Sequence, residues 1–192
     1  MTLPHAKQDG RGQRRVFSIV GSPGDEQISI GTKIPKKPSS FKRALLGLKP
    51  GDTIQATRIA GDFVLPKDPN QPVVLIAGGI GITPYISYIQ STKRPMEIIY
   101  AVSSSDEISF AEQLRHHVSD VTIVSPESAK LPDPEWRHIQ GRLGRETLKD
   151  LIDVRQQPHV YVSGPPHMVN DAQATVKAMG IKRIKVDEFS GY

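Results

Sequence analysis

Apolar positions follow two rhythms along the chain. Up to residue 65 they come in short runs that alternate with polar ones. Arg15-Val16-Phe17-Ser18-Ile19-Val20 is one such run, and Gln27-Ile28-Ser29-Ile30-Gly31-Thr32-Lys33-Ile34 is another. A third, over 53–59, follows the turn Lys49-Pro50-Gly51-Asp52. Alternation of period two is the signature of half-buried strands. Between the runs, Ser39-Ser40 supplies hydroxyls suited to the start of a short helix over 41–46. These residues predict a small antiparallel β-barrel or sandwich with one helix. Residues 66–72 carry three prolines and read as a linker. After it, apolar runs alternate with stretches of helical spacing. The pattern predicts strands over 73–77, 96–102, 121–124, 159–163 and 182–187, and helices over 84–92, 107–118, 145–154 and 166–179. Val73-Val74-Leu75-Ile76-Ala77 is continuously apolar, as a strand covered on both faces must be. The fold class is therefore α+β followed by α/β. A small barrel over 1–68 precedes a five-stranded, parallel, doubly wound domain over 73–192.

Composition narrows the chemistry. The 192 residues contain no cysteine, which excludes a disulfide, a cysteine-ligated zinc or iron–sulfur centre and a thiol nucleophile. The histidines show no metal-ligand spacing, so no metal site is expected. No apolar run approaches the ~20 residues of a membrane span, and a cytoplasmic location is expected. The net charge of +5 is uneven: residues 1–72 hold 12 Lys/Arg against 6 Asp/Glu, and residues 73–192 hold 13 against 14. A basic first part suits an anionic partner or a solvated basic face. Aromatic content is only 6%, not interleaved with the basic residues, so no nucleic-acid partner is expected.

Two strand-to-helix turns carry the sharpest signals. Ala77-Gly78-Gly79-Ile80-Gly81-Ile82-Thr83-Pro84 directly follows the buried strand. Glycines allow backbone amides to approach a phosphate closely, and proline suits the first helical turn. Ser163-Gly164-Pro165-Pro166-His167-Met168 follows the strand over 159–163 in the same way. Two such turns at the carboxyl ends of parallel strands define a ligand crevice.

With these motifs the chain resembles the ferredoxin–NADP reductase superfamily over nearly its whole length. Arg15-Val16-Phe17-Ser18 is similar to that family's Arg-x-Tyr-Ser flavin motif, with Phe in place of Tyr. Residues 78–84 resemble its Gly-Gly-x-Gly-x-Thr-Pro motif, and 163–168 its Cys-Gly-Pro-x-x-Met motif, with Ser in place of Cys. Asp187-Glu188-Phe189-Ser190-Gly191-Tyr192 resembles its aromatic C-terminal ending.

The resemblance implies a flavin-binding barrel over 1–68 and an NAD(P)-binding domain over 73–192. It implies FAD and NADH or NADPH as cofactors. It implies hydride transfer from the nicotinamide to the flavin, then electron transfer to a separate acceptor. Arg15, Phe17, Ser18, Ser39 and Ser40 would contact the flavin and its diphosphate. Gly78, Gly79, Gly81, Thr83, Gly164, Pro165 and Met168 would hold the nicotinamide dinucleotide. Ser18, Thr83, Ser163 and Tyr192 would surround the transferred hydride, with Phe189 standing in should Tyr192 not reach. Ser103 stands where an Arg often pairs with the NADP 2′-phosphate, which favours NADH.

The acceptor would be an acidic iron–sulfur or haem protein, because this chain brings no cysteine of its own. Only 14 residues precede Arg15, fewer than the family's barrel carries, so the barrel is expected to lack about two opening strands. Weak flavin binding, and a homodimer that covers the open edge, follow as expectations. A non-catalytic nicotinamide-binding or interaction module is the alternative.

Overall fold

The computed structural model describes residues 1–56, 61 and 63–189. Its centre is a parallel sheet built from β1 (Val73–Gly78), β2 (Glu97–Ala101), β3 (Asp120–Ser125), β4 (Arg137–Gln140), β5 (His159–Gly164) and β6 (Ile184–Glu188). The strand order is β4-β3-β2-β1-β5-β6. The chain thus runs outward from β1 to β4, returns to pair β5 with β1, and ends on β6. The reversal of direction falls between β1 and β5, paired in the register Leu75↔Tyr161 and Ala77↔Ser163.

Helix α1 (Ser40–Leu46) precedes the sheet, and the later helices cover both its faces, as the uninterrupted burial of β1 requires. Val73, Leu75 and Ala77 pack with Tyr85, Ile86 and Ile89 of α2 (Thr83–Ser91) and Leu114 of α3 (Ala111–His117). Val74 and Ile76 pack with Leu148 of α4 (Arg145–Leu151) and with Val169, Ala172 and Val176 of α5 (Pro166–Ala178). Tyr85 is wholly buried, and its hydroxyl donates to the Ile76 carbonyl at 3.0 Å, so its polar tip is satisfied inside the core.

The sheet has six strands, not the expected five. β4 escapes the apolar pattern because Arg137-His138-Ile139-Gln140 holds a single large apolar residue and follows a proline-broken stretch. It is an edge strand, so only one of its sides needs a partner, and polar residues are tolerated there.

Residues 1–72 are built differently. Among the described residues there, α1 occupies the place that Ser39-Ser40 predicts. Their antiparallel pairing consists of the bridges Thr2↔Arg14, Thr2↔Gln55 and Ile19↔Ile30. Backbone bonds such as Leu3 N–H to Gln13 and Val20 N–H to Ser29 continue these pairings. Part of the run expected over 53–59 lies outside the described residues. The proline-rich stretch is tied to the sheet domain rather than free. The buried Arg94 guanidinium donates to the carbonyls of Pro66 at 3.0 Å and Asp68 at 2.6 Å. Phe63 lies between Tyr85 and Tyr161, with ring centroids 5.7 and 5.2 Å away.

Candidate functional site: the crevice between β1 and β5

The two glycine turns meet at the carboxyl ends of β1 and β5, where the strand order reverses. Gly81 lies directly against the backbone of the second turn. A Cβ on Gly81 would stand 2.3 Å from the Ser163 carbonyl oxygen and 2.7 Å from Gly164 Cα. Gly78 abuts Met168 and Pro165, where a Cβ would meet the Met168 sulfur at 2.4 Å. Gly79 differs: at φ +52° it adopts a left-handed conformation and faces open space. The first turn is therefore pressed onto the second by Gly78 and Gly81 while Gly79 leaves its outer surface clear.

Several side chains predicted from sequence converge here. Ser163 is fully buried, and its hydroxyl has no hydrogen-bond partner among the described residues. It shares a strand face with Tyr161, which points to the α2–α3 side. Thr83 opens α2, nearly fully buried, and its hydroxyl donates to the Ile80 carbonyl at 2.9 Å. From residues 1–72, Gly31 lies over Thr83, with the Thr83 methyl 2.6 Å from where a Cβ would be. The Phe189 N–H donates to the Gly164 carbonyl at 2.9 Å, which brings the C-terminal stretch against the second turn. Tyr192 lies outside the described residues.

The loop after β2 follows the strand that pairs with β1. Ser103 is exposed, and its backbone N–H donates to the Glu107 carboxylate at 3.2 Å. The other Glu107 oxygen pairs with Lys33 at 2.5 Å, linking the first part of the chain to this loop. The Lys33 bond holds the Glu107 carboxyl below its ordinary range, so it is charged at neutral pH. The Tyr100 hydroxyl donates to the Glu107 carbonyl, and burial pushes it up to about 12, so it remains a donor.

A second group assembles around α1. Arg15 packs over the Phe41 ring at 5.1 Å, and Phe17 lies 5.9 Å from that ring. The Arg15 guanidinium donates to the carbonyls of Arg11 and Arg14 at 2.8 and 2.7 Å. Its other terminal nitrogen is buried without a hydrogen bond and faces the Asp9 carboxylate at 3.8 Å. Ser39 caps α1 by accepting from the Lys42 N–H at 3.3 Å. The Ser40 hydroxyl accepts from the Asp9 N–H and bonds His5 Nε2, both at 3.0 Å. The Ser40 N–H donates to the Asp9 carboxylate at 2.9 Å. Asp9 thus places a negative charge at the start of α1, and that N–H bond holds its carboxyl below the ordinary range. Ser18 is half-buried beside Phe17.

Sequence reasoning misses Asp9, Lys33 and Glu107. Asp9 meets Ser40 across 31 residues and Lys33 meets Glu107 across 74, and no local motif announces these contacts.

The oxidoreductase NAD-binding domain family matches residues 75–174. A flavohemoprotein from Bacillus cereus is 29% identical over 92% of this chain and 48% of its own length. A flavohemoprotein from Bacillus subtilis is 27% identical over 86% of this chain and 43% of its own. The chain spans about half the length of the curated relatives it matches. Among solved structures, ferredoxin–NADP+ reductase from Plasmodium falciparum superposes with a TM-score of 0.73. It has 19% identity, covering 98% of this chain and 80% of that one. The cytochrome b5 reductase domain of Ulva prolifera nitrate reductase gives 0.75, with 16% identity, covering 97% and 81%. The fold is that of the ferredoxin–NADP reductase-like oxidoreductases.

Proposed function

The chain belongs to the oxidoreductase NAD-binding domain family, and from that premise we propose that it takes a hydride from NADH or NADPH in the β1–β5 crevice and delivers it to FAD. The observation that carries this reading is the packing of Gly81 on the Ser163–Gly164 backbone. It joins two glycine turns at the reversal of strand order, where ligands of open α/β sheets bind. Gly78, Gly79 and Gly81 would lie along the dinucleotide pyrophosphate, with Gly164, Pro165 and Met168 on its other side. Thr83 and the unpartnered hydroxyl of Ser163 would face the nicotinamide, and Phe189 or Tyr192 would cover the flavin ring.

The residues around α1 fit a flavin diphosphate. The buried Arg15 nitrogen that lacks a hydrogen bond, and the Asp9 carboxylate on the Ser40 N–H, mark a place built for negative charge. Arg15, Ser39 and Ser40 would hold the diphosphate in place of Asp9, with Phe17 and Ser18 toward the ring. FAD, when bound, accepts the hydride and releases electrons one at a time. We assign residues 1–68 to a partial flavin barrel and 73–192 to the nicotinamide domain. The electrons would pass to an acidic partner carrying its own iron–sulfur or haem centre, drawn by the basic first part.

A second reading, a nicotinamide-binding module without flavin chemistry, draws on the occupation of the α1 start by Asp9. Stopped-flow mixing of the FAD-loaded chain with NADH or NADPH without oxygen separates them. Bleaching of the flavin supports the reductase. Dinucleotide binding without bleaching selects the module.

A further inference from the structure

The stretch that joins the two parts of the chain is poorly suited to pair as a strand. Pro66, Pro69 and Pro72 have no N–H to give, and each fixes its own φ and holds the residue before it extended. What the stretch offers is carbonyls, and the sheet domain supplies their donors. The Tyr161 hydroxyl and the Lys185 ammonium donate to the Val64 carbonyl at 2.7 and 3.3 Å. One terminal nitrogen of Arg94 donates to the carbonyls of Pro66 and Asp68, and the His159 N–H donates to that of Pro72 at 2.8 Å. Tyr161 and Lys185 are register partners on β5 and β6, so the stretch lies as a strap against those two strands.

Arg94 is the costly member of this set. It lies between α2 and β2 and is 8% exposed. Among the described residues its side-chain hydrogen bonds run to carbonyls, and its second terminal nitrogen is buried without one. A charge buried in this way costs free energy rather than adding it. What the guanidinium supplies is geometry, a planar group that ties two carbonyls of the strap to one point of the sheet domain.

Resting on the reading of the β1–β5 crevice as a nicotinamide site, we infer that Arg94 is a positioning residue for hydride transfer: it clasps the strap and thereby fixes how residues 1–72 stand over the crevice. Arg94 follows the far end of α2, at the amino end of the sheet. The six residues of β1 separate it from the crevice by about 20 Å, at ~3.3 Å per residue. The strap continues from Phe63, which stacks on Tyr85 and meets Tyr161 edge-on, and so carries the first part onto the α2 side of the sheet. Hydride transfer tolerates little slack, since a misplacement of ~1 Å costs on the order of 100-fold in rate. Loss of the clasp therefore slows transfer and leaves the glycine turns of β1 and β5 as they are.

The chain has no cysteine, so the substitutions Leu46→Cys and Glu112→Cys, at exposed positions in the two parts, direct a pair of spin labels. The distance distribution between the labels reads the placement of one part on the other without any ligand. It is expected to be narrow in the chain that keeps Arg94 and at least twice as broad in Arg94→Met, whose melting point stays at or above that of the parent. When the FAD-loaded chain is mixed with NADH, Arg94→Met is expected to bleach the flavin at least tenfold more slowly at saturation, with NADH affinity within twofold of the parent. Arg94→Lys, one ammonium for two carbonyls, is expected to recover part of that rate. A distribution in Arg94→Met as narrow as the parent's overturns the inference, and so does an unchanged bleaching rate. A rate that falls only together with NADH affinity or with the melting point also overturns it, because Arg94 is then a structural residue alone. A parent chain that holds FAD and NADH without bleaching overturns the reductase reading and the role in transfer with it; the label distances then decide the clasp by themselves.

Discussion

Residues 73–189 and residues 1–72 reach different degrees of closure. In the second part every strand of the sheet core finds a neighbour, and β1 is buried along its whole length. In the first part, the buried apolar side chains among the described residues are Leu3, Val20 and Phe41. Val16 is 94% exposed, Ile28 69% and Leu46 62%. Buried apolar area stabilises by about 25 cal/mol per Å², so the sheet carries most of the folding free energy. The first part takes its order from the second through Gly31 on Thr83, Lys33 on Glu107 and Phe63 between two tyrosines. The sheet side is fixed by backbone contact, and the other side is held by a few side chains.

The rigid wall should respond most strongly to substitution. Gly81→Ala forces a methyl against the Ser163 carbonyl, where backbone on both sides leaves little room to yield. Overpacking of this kind costs up to about 3 kcal/mol, or roughly 6–12 °C in Tm for a chain of this size. Dinucleotide binding should be lost with it. Gly79→Ala meets no atom and bears only left-handed strain, about 1–2 kcal/mol, so its melting point should fall less. Thermal unfolding of the pair ranks the two glycines. Equal losses would contradict the distinction between the packed and the open side of the turn.

A smaller response, to pH, is expected at the opposite end of β5. His159 is pushed below its ordinary value of 6.5, first by burial and then by Arg183, Arg94 and Lys185. The unfolded chain therefore takes up this proton before the folded one. Stability from this source is complete above pH 6.5 and declines as the pH falls toward the folded-state value. Denaturant titrations between about pH 7 and 5 should show that decline, and His159→Gln should flatten it. An unchanged slope in the variant would assign the pH dependence to other groups.

The open part should respond least. Val16→Thr and Leu46→Gln should change stability by no more than about 0.5 kcal/mol, because neither side chain is covered. A loss well above that, growing with protein concentration, would mean that a second copy covers this face. That outcome would replace the contrast between the two parts with an interface.

Legibility in the sequence follows the same division. β1 is legible because five consecutive apolar residues admit burial on both faces and little else. The glycine turns are legible because each sits at a strand end, and the structure brings them together as that position implies. β4 is not, because an edge strand of Arg, His, Ile and Gln carries no periodic apolar signal. The alternation over 27–34 predicts a strand with one covered face, yet Ile28 is largely exposed. Periodicity says which residues share a face and is silent on whether anything packs against it. Arg15 and Ser40 are legible as groups suited to an anion. That Asp9 already meets the Ser40 amide is not, because the contact joins residues 31 apart. Glu107 is hidden for the same reason: its partner Lys33 lies 74 residues away.

Everything proposed for this molecule depends on the dinucleotide occupying the crevice between the two glycine turns. Hydrogen–deuterium exchange of the full chain with and without NADH reads that occupancy at the turns themselves. Added protection is expected over 78–83, 103–107 and 163–168, with residues 14–34 changing less. Protection confined to residues 1–56, or none at saturating NADH, would contradict it.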